Sequence, residues 1–204
     1  MELLKSWSNR FVEAGCDEVG RGCLCGPVVA ASVILDGNFN QNLVNDSKKL
    51  TFKSRMDLDG YIKDHVVAYS IAEVSPEVID VHNILNASIM AMHYALDHLT
   101  VRPELILVDG NKFHPYQSIP HECIVKGDAK LLSIACASIL AKNYRDRLMI
   151  TLHKEFPEYG WSTNMGYATK QHQEALNRFG PTIYHRKSFR LDYSSCEKQS
   201  CTGN

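Results

Sequence analysis

No stretch of this chain approaches the ~20 consecutive apolar residues that a membrane-spanning helix requires. Charge of one sign is also missing. The 22 Lys and Arg face 23 Asp and Glu, for a net charge of −1. That argues against a partner held by a global basic field, and leaves only a local basic groove for a polyanion. There is no Cys-x-x-Cys pair among the seven cysteines, so the paired spacing of a zinc site is lacking. Cys16, Cys23, Cys25, Cys123 and Cys136 lie in apolar surroundings and are expected to be reduced core thiols. The opening Met1-Glu2-Leu3-Leu4-Lys5-Ser6-Trp7 lacks a charged region followed by a long apolar one, so no secretory signal is expected. The expected location is the cytoplasm. Internal repeats, low-complexity tracts and linkers are absent too.

What remains is an ordinary globular composition, 45% hydrophobic and 22% charged over 204 residues. That length suits one domain with a sizeable core. We expect a domain over residues 1–192 and a loose, apolar-poor tail over 193–204. Strands are predicted over 11–16, 28–35, 65–72, 105–108 and 122–126. Helices are predicted over 51–63, from Pro76, from Asn83 to about 99, over 129–154 and over 169–179. Residues 160–167 read as a loop. The mixture is that of an α/β domain.

The most informative stretch is Asp17-Glu18-Val19-Gly20-Arg21-Gly22, followed by the apolar run Pro27 to Leu35. Carboxylates at a strand end suit hard divalent cations. Glycines let backbone N–H groups approach a ligand closely. Arg suits phosphate. Together they suggest phosphodiester chemistry. Asp109 and Asp128 also fall where a predicted strand ends or a helix starts, and ligands collect at the carboxyl ends of strands. Four converging carboxylates repel one another without cations. Two Mg²⁺ ions would neutralise them and clamp the oxygens of an in-line displacement.

Each position also has a structural reading. Asp17 and Glu18 fit a solvated strand end, Asp109-Gly110-Asn111 a turn, and Asp128 a helix N-cap. Adjacent strand residues point to opposite faces. So either the strand has broken before Glu18, or Glu18 contributes its backbone carbonyl.

The chain is similar to ribonuclease HII, the type 2 ribonuclease H family. The matching segments run in family order: 17–22 through Gly26-Pro27-Val28-Val29-Ala30-Ala31, Asp46-Ser47-Lys48-Lys49-Leu50, Val108-Asp109-Gly110-Asn111, Lys126-Gly127-Asp128, Ser133 to Lys142, Gly166-Tyr167-Ala168-Thr169, and His185-Arg186-Lys187-Ser188-Phe189. Departures are confined to small or apolar exchanges: Val19 and Cys136 where the family has Ala, and Cys23 and Cys25 where it has Pro and Ala. The resemblance implies a ribonuclease H-like α/β fold, a mixed central sheet flanked by helices with a helical C-terminal part. It implies that Asp17, Glu18, Asp109 and Asp128 are the catalytic metal ligands for Mg²⁺ or Mn²⁺. It implies that Gly20, Arg21 and Gly22 read the ribose 2′-OH, and that Tyr167 stacks on the sugar beyond the junction.

The implied activity is two-metal endonucleolytic hydrolysis of the RNA strand of RNA–DNA hybrids. It includes nicking 5′ of a lone ribonucleotide in duplex DNA and leaves 3′-hydroxyl and 5′-phosphate ends. That places the chain in ribonucleotide and RNA primer removal, in DNA repair and replication, as an expected monomer without a membrane partner. No further domain is expected ahead of the first motif, which would favour this family over ribonuclease HIII. Three basic groups are candidate phosphate contacts: Lys48, Lys49, Lys53 and Arg55; Lys126, Lys130, Lys142, Arg145 and Arg147; and His185, Arg186, Lys187 and Arg190. Lys48 is the preferred one. The rivals are an exonuclease of the same fold and a non-catalytic hybrid-binding module.

Overall fold

The computed structural model describes residues 3–40, 44 and 52–189. The elements run β1 (Glu13–Val19), β2 (Val28–Ile34), α1 (Phe52–His65), β3 (Ala68–Val74), α2 (Pro76–Asp97), β4 (Leu105–Asp109) and β5 (His121–Ile124). A short 3-10 turn (Gly127–Ala129), α3 (Leu132–Glu155), a second 3-10 turn (Pro157–Tyr159), α4 (Trp161–Asn164) and α5 (Lys170–Phe179) follow. Lys48 and the expected tail, 193–204, lie outside the described residues.

The five strands form one sheet in the order β3-β2-β1-β4-β5. β3, β2 and β1 pair antiparallel, while β1, β4 and β5 pair parallel. The expected mixed sheet is therefore present. β2 is buried at every position because helices cover both faces of the sheet. Cys16, Val28, Ala30 and Val108 face α2, where Ala87, Ala91 and Met92 meet them. Val29, Ala31 and Val33 face α1 and α3, packing on Ile62, Ala137 and Leu140. β3 is an edge strand and alternates buried with exposed positions. A third cluster around Trp161, Tyr159, Met149 and Leu176 forms the helical C-terminal part.

The long helix α3 is pressed onto β1 at one point that only glycine allows. A Cβ on Gly15 would lie 2.4 Å from the Ser133 carbonyl carbon and 2.5 Å from the Ile134 nitrogen. This close approach carries the following turn of α3 alongside Asp17.

Several boundaries differ from expectation for local reasons. β1 lies at Glu13–Val19 rather than 11–16, because its ladder with β2 continues through Asp17↔Ala31, Glu18↔Ala30 and Val19↔Val29. α1 runs to His65, so β3 starts only at Ala68. β5 ends at Ile124, and Lys126 then turns left-handed at φ 58°. The segment expected to be a loop holds the single-turn α4, set between left-handed Gly160 and Met165. Asp128 does not cap α3: the capping position is Leu131, and Asp128 sits in the preceding 3-10 turn. The expected break at Asn83 is present. Its φ of 64° interrupts α2, and its Oδ1 accepts from the N–H of Leu85 at 3.0 Å and of Asn86 at 3.2 Å. Among the described residues no helix is long and apolar enough to cross a membrane.

Candidate active site

The parallel run β1-β4-β5 brings three chain segments to one end of the sheet. Asp17 and Glu18 lie in the last residues of β1 there, Asp109 ends β4, and Asp128 follows β5 in its 3-10 turn. Cys16 pairs with Val108, so Asp17 and Asp109 are the next residues of neighbouring parallel strands. Asp109 Oδ1 accepts from the Gly127 N–H at 2.6 Å, which ties the β4 end to the turn carrying Asp128.

Asp17 and Glu18 project to opposite faces, because β1 is a regular strand through Val19. The strand has therefore not broken before Glu18, yet the Glu18 side chain still faces Asp109 across a shared recess, an arrangement outside both expected alternatives. Asp17 is buried on the α3 side and accepts a hydrogen bond from Ser138. Glu18 opens on the α2 side, into a recess of about 30 Å³ shared with Arg21, Ser88, Asp109, Asn111 and Lys112. That is room for a water or an ion, not an organic cofactor. A larger recess, about 490 Å³ beside Phe11, Glu13 and Leu132, contains none of the expected site residues.

The electrostatics are those of a crowded anionic site. Burial holds the Asp17 carboxyl well above the usual range, and the charges of Glu18 and Asp109 add to it against the Ser138 hydrogen bond. Burial raises Glu18 as well. Arg21, paired to Oε1 at 2.8 Å, opposes that rise, and Asp109 reinforces it. Glu18 Oε2 is buried without a hydrogen-bond partner among the described residues. An orphaned carboxylate oxygen in an all-oxygen set suits a hard divalent cation. No three of the four carboxylates bring ligand atoms within 4.8 Å of one another.

The Gly-Arg-Gly loop follows directly. Gly20 has φ +93°, and a Cβ there would meet Arg145 Nε at 2.3 Å, so both conformation and space require glycine. A Cβ on Gly22 would contact Tyr167 Cε1 at 3.9 Å, which puts the aromatic ring beside the loop. Tyr167 is fixed by its backbone: its N–H donates to the Asn164 carbonyl at 2.9 Å and its carbonyl accepts from His172 Nδ1 at 2.9 Å. Its hydroxyl donates to Cys23 Sγ, and its ring is 44% exposed, available to a ligand.

The basic clusters need correction. Arg145 and Arg186 are buried, at 1% and 0% exposure, and so do not line a groove. Arg55 pairs with Asp146 at 2.7 Å and Arg147 with Asp59 at 2.7 Å, joining α1 to α3. Ser138, Arg145 and Arg186 all touch the site or its loop. Ser and Arg within family-like segments carried no distinguishing signal beforehand. Cys123 is only half-buried, unlike the other four described thiols.

One tight group of metal-capable side chains lies elsewhere: Cys25, His172 and His185, within 4.8 Å of one another. Their surroundings set the tautomers. The Thr182 N–H donates to His185 Nδ1 at 2.9 Å, so the His185 proton sits on Nε2 and is donated to His172 Nε2 at 3.0 Å. Trp161 Nε1 also donates to His172 Nε2, at 3.1 Å. The nitrogens are thus committed to hydrogen bonds, and the pair locks α5 to the 182–186 segment.

A mixed sheet in this order, with carboxylates at the carboxyl ends of its parallel strands, is that of the ribonuclease H-like fold, and comparison with known proteins places the chain among its hydrolytic nucleases. The profile of the "Ribonuclease HII" family matches residues 14–196. Ribonuclease HII of Christiangramia forsetii is 54% identical over 189 residues, covering 93% of this chain and 96% of the relative. Ribonuclease HII of Phocaeicola vulgatus is 52% identical, covering 93% and 94%. Among solved structures, the ribonuclease H2 of Pyrococcus horikoshii superposes with TM-score 0.75 at 27% identity, covering 88% of this chain and 94% of that one. A ribonuclease HIII solved with Mn²⁺ shares the fold, with TM-score 0.70 at 19% identity over 88% and 67% of the two chains. The chain belongs to the ribonuclease HII family, nucleases with ribonuclease H activity on RNA–DNA.

Proposed function

We propose that this chain is an endonuclease that hydrolyses the RNA strand of RNA–DNA hybrids and nicks duplex DNA 5′ of a single embedded ribonucleotide. The carrying observation is the adjacency of three parts: the carboxylates at the strand ends, the Gly20-Arg21-Gly22 loop continuing from them, and the half-exposed Tyr167 ring against Gly22.

Asp17, Glu18, Asp109 and Asp128 would hold Mg²⁺ or Mn²⁺, with Glu18 acting through its unpartnered Oε2. Bound there, divalent cations lower the pKa of the attacking water and stabilise the charge on the leaving 3′-oxygen. The chain's own contribution is positioning. Ser138 orients Asp17, and the Gly127 N–H orients Asp109. Arg21 is exposed at the loop tip, where a phosphate can replace its partner Glu18. The loop backbone is suited to reading a 2′-OH, the group that separates RNA from DNA. Tyr167 offers an aromatic face to the next sugar and Lys48 a cation to the backbone, with Lys48 outside the described residues. In the cytoplasm this activity would serve RNA primer and ribonucleotide removal during replication and repair. An RNase HII of Archaeoglobus fulgidus was solved in complex with PCNA.

Product-end analysis tests the reading. Water attack leaves a 3′-hydroxyl and a 5′-phosphate, so a ligase reseals the nick without prior treatment. A 2′,3′-cyclic phosphate product would rule out the proposed chemistry.

A further inference from the structure

Arg186 spends its whole guanidinium on the backbone of one loop. Nη2 donates to the Gly20 carbonyl at 2.7 Å, Nη1 to the Arg21 carbonyl at 3.0 Å, and Nε and Nη2 to the Gly26 carbonyl at 3.0 and 2.9 Å. Among the described residues none of its hydrogen-bond acceptors is a carboxylate. The Phe189 ring also lies against it, 5.0 Å from Cζ. Arg145 does the same from α3, donating to the carbonyls of Pro27 (3.1 Å), Cys25 (3.0 Å) and Met165 (2.8 Å). The strand-like segment around His185 completes the frame: Gly26 N–H donates to the Tyr184 carbonyl, and Arg186 N–H to the Leu24 carbonyl.

Burying a cation without a hydrogen-bonded carboxylate is costly, and the nearby Asp80 charge offsets the burial only in part. If the fold needed only volume here, an apolar side chain would serve it better. What the guanidinium supplies is direction. In a trans peptide unit the carbonyl of one residue and the N–H of the next point opposite ways. Holding the Gly20 and Arg21 carbonyls inward therefore aims the N–H groups of Arg21 and Gly22 outward, toward the face that Tyr167 flanks. Two consecutive peptide planes are fixed by one planar fork, which an ammonium cannot imitate.

We infer that Arg186 is a positioning residue that presents the Gly20-Arg21-Gly22 backbone to the ribose. The inference rests on the proposed reading of that loop. The test is the binding preference for a duplex with one ribonucleotide over the same all-DNA duplex. It is measured by fluorescence anisotropy with Ca²⁺ replacing the catalytic ion, beside kcat/KM for nicking. Arg186→Met, which fills the space, should bring the preference close to unity and lower kcat/KM by about 10²-fold, as ångström-scale misplacement does. Arg186→Lys should recover only part of the preference. A loss of general packing would instead weaken both duplexes equally and leave the preference intact, and that result overturns the inference. If Arg186→Met does not fold, Arg186→Lys decides alone: an undiminished preference overturns the role, and a reduced one supports it. Wild-type protein without any preference would refute the ribose-reading loop itself, a failure distinct from that of Arg186.

Discussion

Replacing Asp109 with Asn separates stability from activity in opposite directions. Asp109 Oδ1 accepts from the Gly127 N–H at 2.6 Å, and an amide oxygen keeps that bond, so the β4 end should hold its geometry. What disappears is a negative charge that raises both Asp17 and Glu18. Unit charges near a protein surface interact by about 4 kcal/mol at 4 Å, falling inversely with distance, so each ionised neighbour should gain up to a few kcal/mol. The sign in pH follows from linkage. A carboxyl whose folded pKa is raised binds more protons folded than unfolded, so stability falls as pH rises from the ordinary carboxylate range through the raised value. Metal-free wild-type protein should show that fall, and Asp109→Asn should show less of it.

In EDTA the variant should therefore melt at or above the wild-type temperature near neutral pH, with the difference shrinking toward pH ~4, where the raised Asp17 and Glu18 carboxyls are protonated in both proteins. Activity should move the other way, by about 10³-fold or more in kcat, or roughly 4 kcal/mol of lost transition-state stabilisation. Thermal denaturation across pH and single-turnover cleavage with Mg²⁺ are the two assays. Near-wild-type turnover would refute Asp109 as a ligand. A metal-free variant clearly less stable than wild type would refute the repulsion argument.

Other outcomes are equally specific. Tyr167→Ala should lower the melting temperature only modestly, because the residue is 44% exposed and loses chiefly its hydroxyl contact to Cys23. It should reduce nicking at a single ribonucleotide more than binding of a long hybrid, and equal losses in both would contradict the stacking role. Gly20→Ala meets both a left-handed φ and Arg145 Nε at 2.3 Å, so it should cost about 1–3 kcal/mol of stability together with ribonucleotide cleavage; a fully active, fully stable variant would show that the loop tolerates displacement. Burial, with its neighbour His172 adding, pushes His185 down to about 4. A depressed histidine leaves the unfolded chain binding more protons, so stability should be lost as pH falls from about 6.5 toward 4. His185→Gln should flatten that slope in acid denaturation, and an unchanged slope would place the sensitivity elsewhere.

Much of the fold was legible because its signals are local and strong. The uninterrupted Val28-Val29-Ala30-Ala31 run could only be a strand covered on both faces, and it is. Asn83 announced its own helix break through side-chain capping. The strand holding Asp17 and Glu18 was misplaced because Phe11 and Val12 look more strand-like than two carboxylates do. Pairing with β2 overrode that preference. α4 was missed because four residues between two left-handed positions carry no periodicity. At the site, the carboxylates and the glycine loop were readable from residue type. The buried roles of Arg145 and Arg186 were not, since a cluster of basic residues normally marks a solvated face. Only three-dimensional closure of the loop onto α3 and residues 184–186 turns them inward.

The most direct test of the central claim is cleavage of an end-blocked DNA duplex carrying one internal ribonucleotide, run with Mg²⁺ and with EDTA. The structure leads us to expect a metal-dependent nick on the 5′ side of the ribonucleotide and none in the all-DNA control. Absence of that nick from protein that cleaves a long RNA–DNA hybrid would contradict the ribose-reading role of Gly20-Arg21-Gly22. Cleavage undiminished in EDTA would contradict the carboxylate metal site.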